Sequence, residues 1–172
     1  DFTMNKVCAA GTGSFLEEQA EKLGISIKNE FSALALHAKT PAHLGERCTV
    51  FMESDLNHAQ QRGVAKEDLV AGLCYSIVYN YLNKVVEDRK VGDVIFFQGG
   101  TAYNRGVKAA FEKVLGKKIT VPPHHDVLGA IGVALIARNE STGTSKFKGF
   151  GLAKLKYEIE SFECVDCANN GE

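Results

Sequence analysis

Between Gly92 and Arg138 the apolar pattern changes period twice, and that change limits the chain to few architectures. Val94, Ile95, Phe96 and Phe97 form an unbroken apolar run bounded by Gly92 and by Gly99–Gly100, the pattern of a strand covered on both faces. A helix follows from about Ala102 to Leu115, and Ile119–Thr120–Val121 is a short strand stopped by Pro122–Pro123. A helix rich in small residues then runs from about Val127 to Arg138. Strand, helix, strand, helix predicts an α/β fold, with a right-handed crossover between strands that run parallel.

Upstream the period is helical. Phe15, Leu16, Ala20 and Leu23 fall on one side of a helix over Ser14–Leu23, with Glu17, Glu18 and Glu21 opposite and Gly24 at its end. A short helix covers Phe31–Ala38 and closes at Pro41. In CTVFMESD, Thr49, Val50 and Phe51 read as extended, and Ser54 or Asp55 caps a helix through Gln61. Leu69, Val70, Leu73, Ile77, Tyr81, Leu82 and Val85 make one apolar stripe on a helix from Glu67 to Asp88. Beyond Ser141 the composition turns to Ser, Thr, Gly and Lys, which predicts a linker into a neighbouring domain. The expected division is therefore 1–140 and 141–172. A start at Asp1 and a finish at Asn-Asn-Gly-Glu suggest a piece of a longer protein.

Composition excludes some classes. With 172 residues, 45% hydrophobic, the chain can bury a real core. A formal net charge of -1 gives no general attraction to nucleic acid or to an anionic membrane, and no apolar run has the length to span a bilayer. The five cysteines, Cys8, Cys48, Cys74, Cys164 and Cys167, are odd in number and come with no secretion signal. Reduced thiols in the cytoplasm are the expectation.

Two stretches carry candidate chemistry. In FFQGGTAYN an apolar strand runs into Gly99–Gly100 and then a helix, so backbone is open to a ligand and free N–H groups face it. That suits a nucleotide, and it equally suits a Gly-Gly turn that only reverses direction. In CAAGTGSF, Gly11 and Gly13 precede a helix, as an anion cradle or as a tight turn. Cys8 sits just ahead of that helix, where the dipole stabilises a thiolate, the species that iron–sulfur clusters and zinc require. Cys48 stands in a similar place ahead of the next helix. Cys74 lies within an apolar stripe and reads as inert packing.

Other polar residues have plainer readings. His124 and His125 are adjacent on a segment read as extended, so they point to opposite faces and do not share a metal. His37, His43 and His58 show no partner spacing, and Glu53 and Asp55 read as capping residues. Cys164 and Cys167 form one C-x-x-C, half a zinc site, in what reads as a flexible tail.

CAAGTGSFLEEQA, RCTVFMESDL, FFQGGTAYNRGVKAAFE and VPPHHDVLGAIGVAL occur in this order and spacing, from about Asp1 to Ala137. Together they resemble the ATP-dependent activators of 2-hydroxyacyl-CoA dehydratases and the ATPase subunits of benzoyl-CoA reductase, the BadF/BadG/BcrA/BcrD group. The tail FECVDCANNGE resembles the junction found in the long, multi-domain form, although Gly171 stands where that form tends to have a further cysteine.

The resemblance implies an actin-like, ribonuclease-H-like ATPase lobe, incomplete at its N-terminus. It implies that Cys8 and Cys48 ligate iron, and that Gly11, Thr12, Gly13, Gly99, Gly100 and Asn104 handle ATP or ADP with magnesium. A [4Fe-4S] cluster needs four thiolates, so two copies of the chain around a two-fold axis would share one, as a homodimer. The implied function is delivery of a low-potential electron to a partner, an acyl-CoA dehydratase or an aromatic-CoA reductase component. The family's two aspartate-bearing phosphate motifs are absent from this sequence, so the expectation is a cluster-and-adenosine half with little hydrolysis of its own and with most magnesium ligands elsewhere. A non-catalytic dimerisation or regulatory module with a degenerate nucleotide site is the competing expectation. A sugar- or acetate-kinase-like enzyme fits less well, because such kinases need no paired cysteines at these motifs.

Overall fold

The computed structural model describes residues 13–45 and 49–140, together with the short stretches 143, 147, 149–151, 162–163 and 170–171. The chain forms two compact units, 1–136 and 137–172. Within the second, β3 (Phe162–Glu163) pairs antiparallel with β4 (Asn170–Gly171). No helix among the described residues is long and apolar enough to cross a membrane.

The first unit is organised around a central helix. The elements in order are α1 (Gly13–Lys22), α2 (Phe31–His37), α3 (Thr49–Gln61) and α4 (Lys66–Tyr81), the last running into a π-helical turn at Leu82–Val86. Then come β1 (Ile95–Phe96), a 3-10 turn at Gly100–Tyr103, α5 (Arg105–Leu115), β2 (Ile119–Thr120) and α6 (Leu128–Glu140). Helix α4 buries Leu69, Val70, Leu73, Cys74, Ile77 and Val78, and also Gly72, Ser76 and Asn80. Burial therefore extends well past the single stripe seen in the sequence, because α2, α3 and α5 all pack on it. Phe15, Leu16, Phe31, Met52, Leu56 and Val107 complete the core.

Two elements differ from the sequence reading. Thr49–Phe51 is the first turn of α3 and not extended. Met52 and Leu56, four residues apart, are both buried, and that tertiary packing outweighs the local β-propensity of Thr49 and Val50. Glu53, expected as a capping residue, lies inside this helix and pairs with Lys22. The second difference is at β1, which pairs in parallel with β2 as expected, with Ile95 opposite Ile119. It is not covered on both faces, since Phe96 is 61% and Val94 77% exposed.

A strap over residues 39–45 lies along one face of α4. Asp68 Oδ1 accepts from the Lys39 and Thr40 N–H groups at 2.9 and 2.8 Å. Its carbonyl accepts from Ala42 N–H at 2.8 Å, and Ser76 Oγ donates to the Gly45 carbonyl at 2.8 Å. Asp68, Gly72 and Ser76 fall four residues apart, on one helical face. At Gly72 the strap comes so close that an added Cβ would stand 2.4 Å from the Ala42 carbonyl oxygen. Gly72→Ala is expected to lower stability by about 1–3 kcal/mol, because strap or helix must shift. A urea titration showing an unchanged midpoint would remove the strap as a fixed element.

Candidate functional site

The site lies where the two glycine motifs meet. Beyond β1, Gly99 adopts φ 95°, a conformation that disfavours any side chain. Its N–H donates to the His125 carbonyl at 2.7 Å, and His125 Nδ1 lies 3.0 Å from the Gly99 carbonyl oxygen. These contacts join the end of β1 to the turn after β2. No heavy atom lies within 4 Å of a Cβ built on Gly99 or Gly100, so this backbone is open to an approaching group. A Cβ built on Gly13 would stand 3.3 Å from Thr101 Oγ1, which places the first motif against the second.

Gly13, Gly100, Thr101 and Asn104 line one cavity of about 830 Å3 with Ser32 and Lys28. The volume is within the range of small-molecule sites. Gly99 opens beside it without lining it. Gly11, Thr12, Cys8 and Cys48 lie outside the described residues, as do Cys164 and Cys167. Among the described residues no group of three or more His, Cys, Asp or Glu side chains is arranged to hold a metal ion. His124 has φ 56° and lies in a turn, not in the extended segment the sequence suggested.

Asn104 is the most informative residue of the cavity. It caps α5, its Oδ1 accepting from the Gly106 and Val107 N–H groups at 3.0 and 3.1 Å. Ser32 Oγ, brought across by α2, donates to the same oxygen at 3.0 Å and accepts from Arg105 N–H at 3.1 Å. Three donors fix Oδ1 as the oxygen, which leaves the amide nitrogen as the only uncommitted atom. Asn104 Nδ2 is buried and has no hydrogen-bond partner. A buried donor without an acceptor is costly, and the residue that carries it is one of those lining the cavity.

Two further features frame the site. Glu112 Oε1 accepts from Ile119 N–H at 2.8 Å and from Lys108 Nζ at 2.9 Å. These bonds hold its carboxyl below the usual range and tie β2 to α5. Cys74 is buried beneath α5, and burial pushes its thiol up to about 12, which fits the inert role read from the sequence. Ser32, Lys28 and Tyr103 were not identifiable from the sequence. Ser32 is 72 positions from Asn104, and no motif marks it.

A parallel strand pair crossed by a helix, with an open Gly-Gly turn beside a cavity, is an α/β lobe, and its structural neighbours place it among the actin-like ATPases. Comparison with known proteins agrees. Residues 1–137 match the model of the BadF/BadG/BcrA/BcrD ATPase family, and the chain belongs to that family. It is 34% identical over 137 residues to the (R)-2-hydroxyglutaryl-CoA dehydratase activating ATPase of Acidaminococcus fermentans, covering 80% of this chain and 52% of the relative. The crystal structure of component A of that dehydratase superposes with a TM-score of 0.74 at 31% identity, covering 80% of this chain and 52% of that one. The activator of the 2-hydroxyisocaproyl-CoA dehydratase from Clostridium difficile with bound ADPNP superposes at 0.67, with 27% identity, over 80% of this chain and 53% of that one. The chain thus spans about half the length of these relatives.

Proposed function

We propose that this chain is the cluster-and-adenosine half of an ATP-dependent activator that passes a low-potential electron to an acyl-CoA dehydratase or aromatic-CoA reductase partner. The observation that carries the reading is the convergence of Gly13 and Gly100–Asn104 on one cavity with an uncommitted buried donor. A relative of the same fold holds an ATP analogue. Among the described residues lining the cavity, Glu17 is the one carboxylate. Phosphoryl transfer needs magnesium-holding acids and a positioned water, so the reading is of a lobe that binds nucleotide and hydrolyses it poorly by itself.

The iron-binding half of the reading rests on Cys8 and Cys48. Each precedes a helix, α1 and α3 respectively, and those helices pack together. Lys22 Nζ of α1 reaches Glu53 of α3 at 2.9 Å and Glu18 at 3.0 Å. The pair is largely solvated, so it contributes little energy and only marks where the two helices lie side by side. Two thiolates from each of two copies would satisfy a tetranuclear cluster, which when bound supplies a one-electron carrier of low potential. The chain's own residues bind nucleotide on α1, α2 and the Gly-Gly turn, and hold α1 against α3.

Anaerobic isolation with iron and sulfide analysis tests this directly. About one tetranuclear cluster per dimer is expected. A colourless, iron-free monomer would favour the regulatory-module reading instead.

A further inference from the structure

One motif of the sequence has no part in the nucleotide cavity or in the iron reading: the C-x-x-C of Cys164 and Cys167, in the second unit. The two cysteines lie outside the described residues, but the strands on either side of them do not. β3 pairs antiparallel with β4, with Phe162 opposite Gly171 and Glu163 opposite Asn170. Residues 164–169 therefore leave and rejoin one rung of a ladder, where paired strands run about 5 Å apart. The C-x-x-C is thus the loop of a hairpin, with Cys164 directly after the last paired residue of β3. Thiols spaced in this way are the ligand pattern of zinc ribbons and related small zinc sites, in which one short segment gives two sulfurs to one ion.

We propose that Cys164 and Cys167 are a ligand pair for a thiophilic divalent cation, zinc, and that a second copy of the chain supplies the other two thiolates. A structural zinc ion takes four ligands, almost always Cys or His. The unit 137–172 contains no histidine and no cysteine beyond this pair. Elsewhere, Cys74 is buried with its thiol pushed up to about 12, which keeps it protonated and out of reach of an ion. Cys8 and Cys48 belong to the iron reading. Two thiolates per chain against four per ion give one zinc between two chains, joined about a two-fold axis. The zinc site and the nucleotide reading stand independently of each other.

The test uses the whole chain carrying Cys8→Ser and Cys48→Ser, kept reduced, so that the only unburied thiols are those of the pair. Cobalt(II) is the probe, because its absorption bands report how many thiolates surround it. The bands should be those of a tetrahedral site with four sulfurs and should saturate at about one cobalt per two chains. Sedimentation should show monomer passing to dimer in step with them, and zinc added afterwards should bleach them, as thiolate ligands favour that ion. A further Cys164→Ser or Cys167→Ser should abolish both the bands and the dimer. Cys167→His, which keeps a zinc ligand, should restore binding with the bands of a mixed sulfur and nitrogen site. No thiolate bands in the parent, or bands that persist in either serine variant, would overturn the site. Saturation at one cobalt per monomeric chain would overturn the sharing between copies. Iron binding by the wild-type chain is measured separately, so failure of the zinc site leaves the proposed function standing.

Discussion

Asn104→Asp should leave the fold intact and lower ADP affinity by tens- to a hundredfold. The substitution separates two roles that one side chain combines. An aspartate oxygen still accepts from Gly106 N–H, Val107 N–H and Ser32 Oγ, as Asn104 Oδ1 does. A carboxylate at a helix N-cap is as good as an amide and is favoured by the helix dipole. The cap is kept, so the urea midpoint should fall only modestly, by the cost of a carboxylate oxygen at a buried position without a donor. The other atom changes from a donor into an anionic acceptor, at the position where Nδ2 has no protein partner. A lost hydrogen bond to a polar ligand group, with a negative charge in place of the donor, is on the order of 2–3 kcal/mol. Asn104→Ala is the contrast, because it removes the cap itself and orphans two buried N–H groups. Stability should then fall by on the order of 3 kcal/mol. Equal ADP binding by wild type and Asn104→Asp would show that the uncommitted nitrogen faces no ligand.

Much of this site was readable in the sequence, and the unreadable part has a physical cause. Gly99–Gly100 after an apolar run and before a helix is a local pattern, since each residue acts on its chain neighbours, whereas the cap that Asn104 supplies, and with it the helix start at Arg105, was not read from the sequence. The two strands themselves were read from the same stretch, while their register, Ile95 opposite Ile119, came only with the structure. Ser32 was invisible because its role is to meet Asn104 through space, and serine in a first helical turn is otherwise unremarkable. Tyr103 carried no signal either: only the turn after β2 brings Asp126 and His125 to it. Thr49–Phe51 misled for the opposite reason. Its β-branched and aromatic residues favour extended chain in isolation, and the burial of Met52 and Leu56 against the core makes it helical. Exposed Val94 and Phe96 show that an unbroken apolar run does not guarantee cover on both faces among the described residues.

Cys48→Ser and Cys8→Ser should each abolish iron binding while barely altering stability, and this is the largest functional effect expected. In a symmetric dimer one substitution takes away two of the four thiolates, so partial retention is not expected. Serine oxygen is a poor ligand for iron held by sulfur. The core should not register the change. The strap over residues 39–45 is held on α4 by Asp68 and Ser76 through backbone groups and their own side chains, none of them a thiol. Helix α3 keeps its buried Met52 and Leu56, and Lys22 keeps Glu53. The stability change should therefore stay within about 0.5 kcal/mol. Cys74→Ala provides the comparison. Its thiol, pushed up to about 12 by burial, is not a thiolate at neutral pH and should not be a ligand, so its removal should leave iron content unchanged. Full iron in Cys48→Ser, measured anaerobically beside wild type, would show that the second thiolate comes from elsewhere in the chain, and the two-fold sharing argument would fail with it.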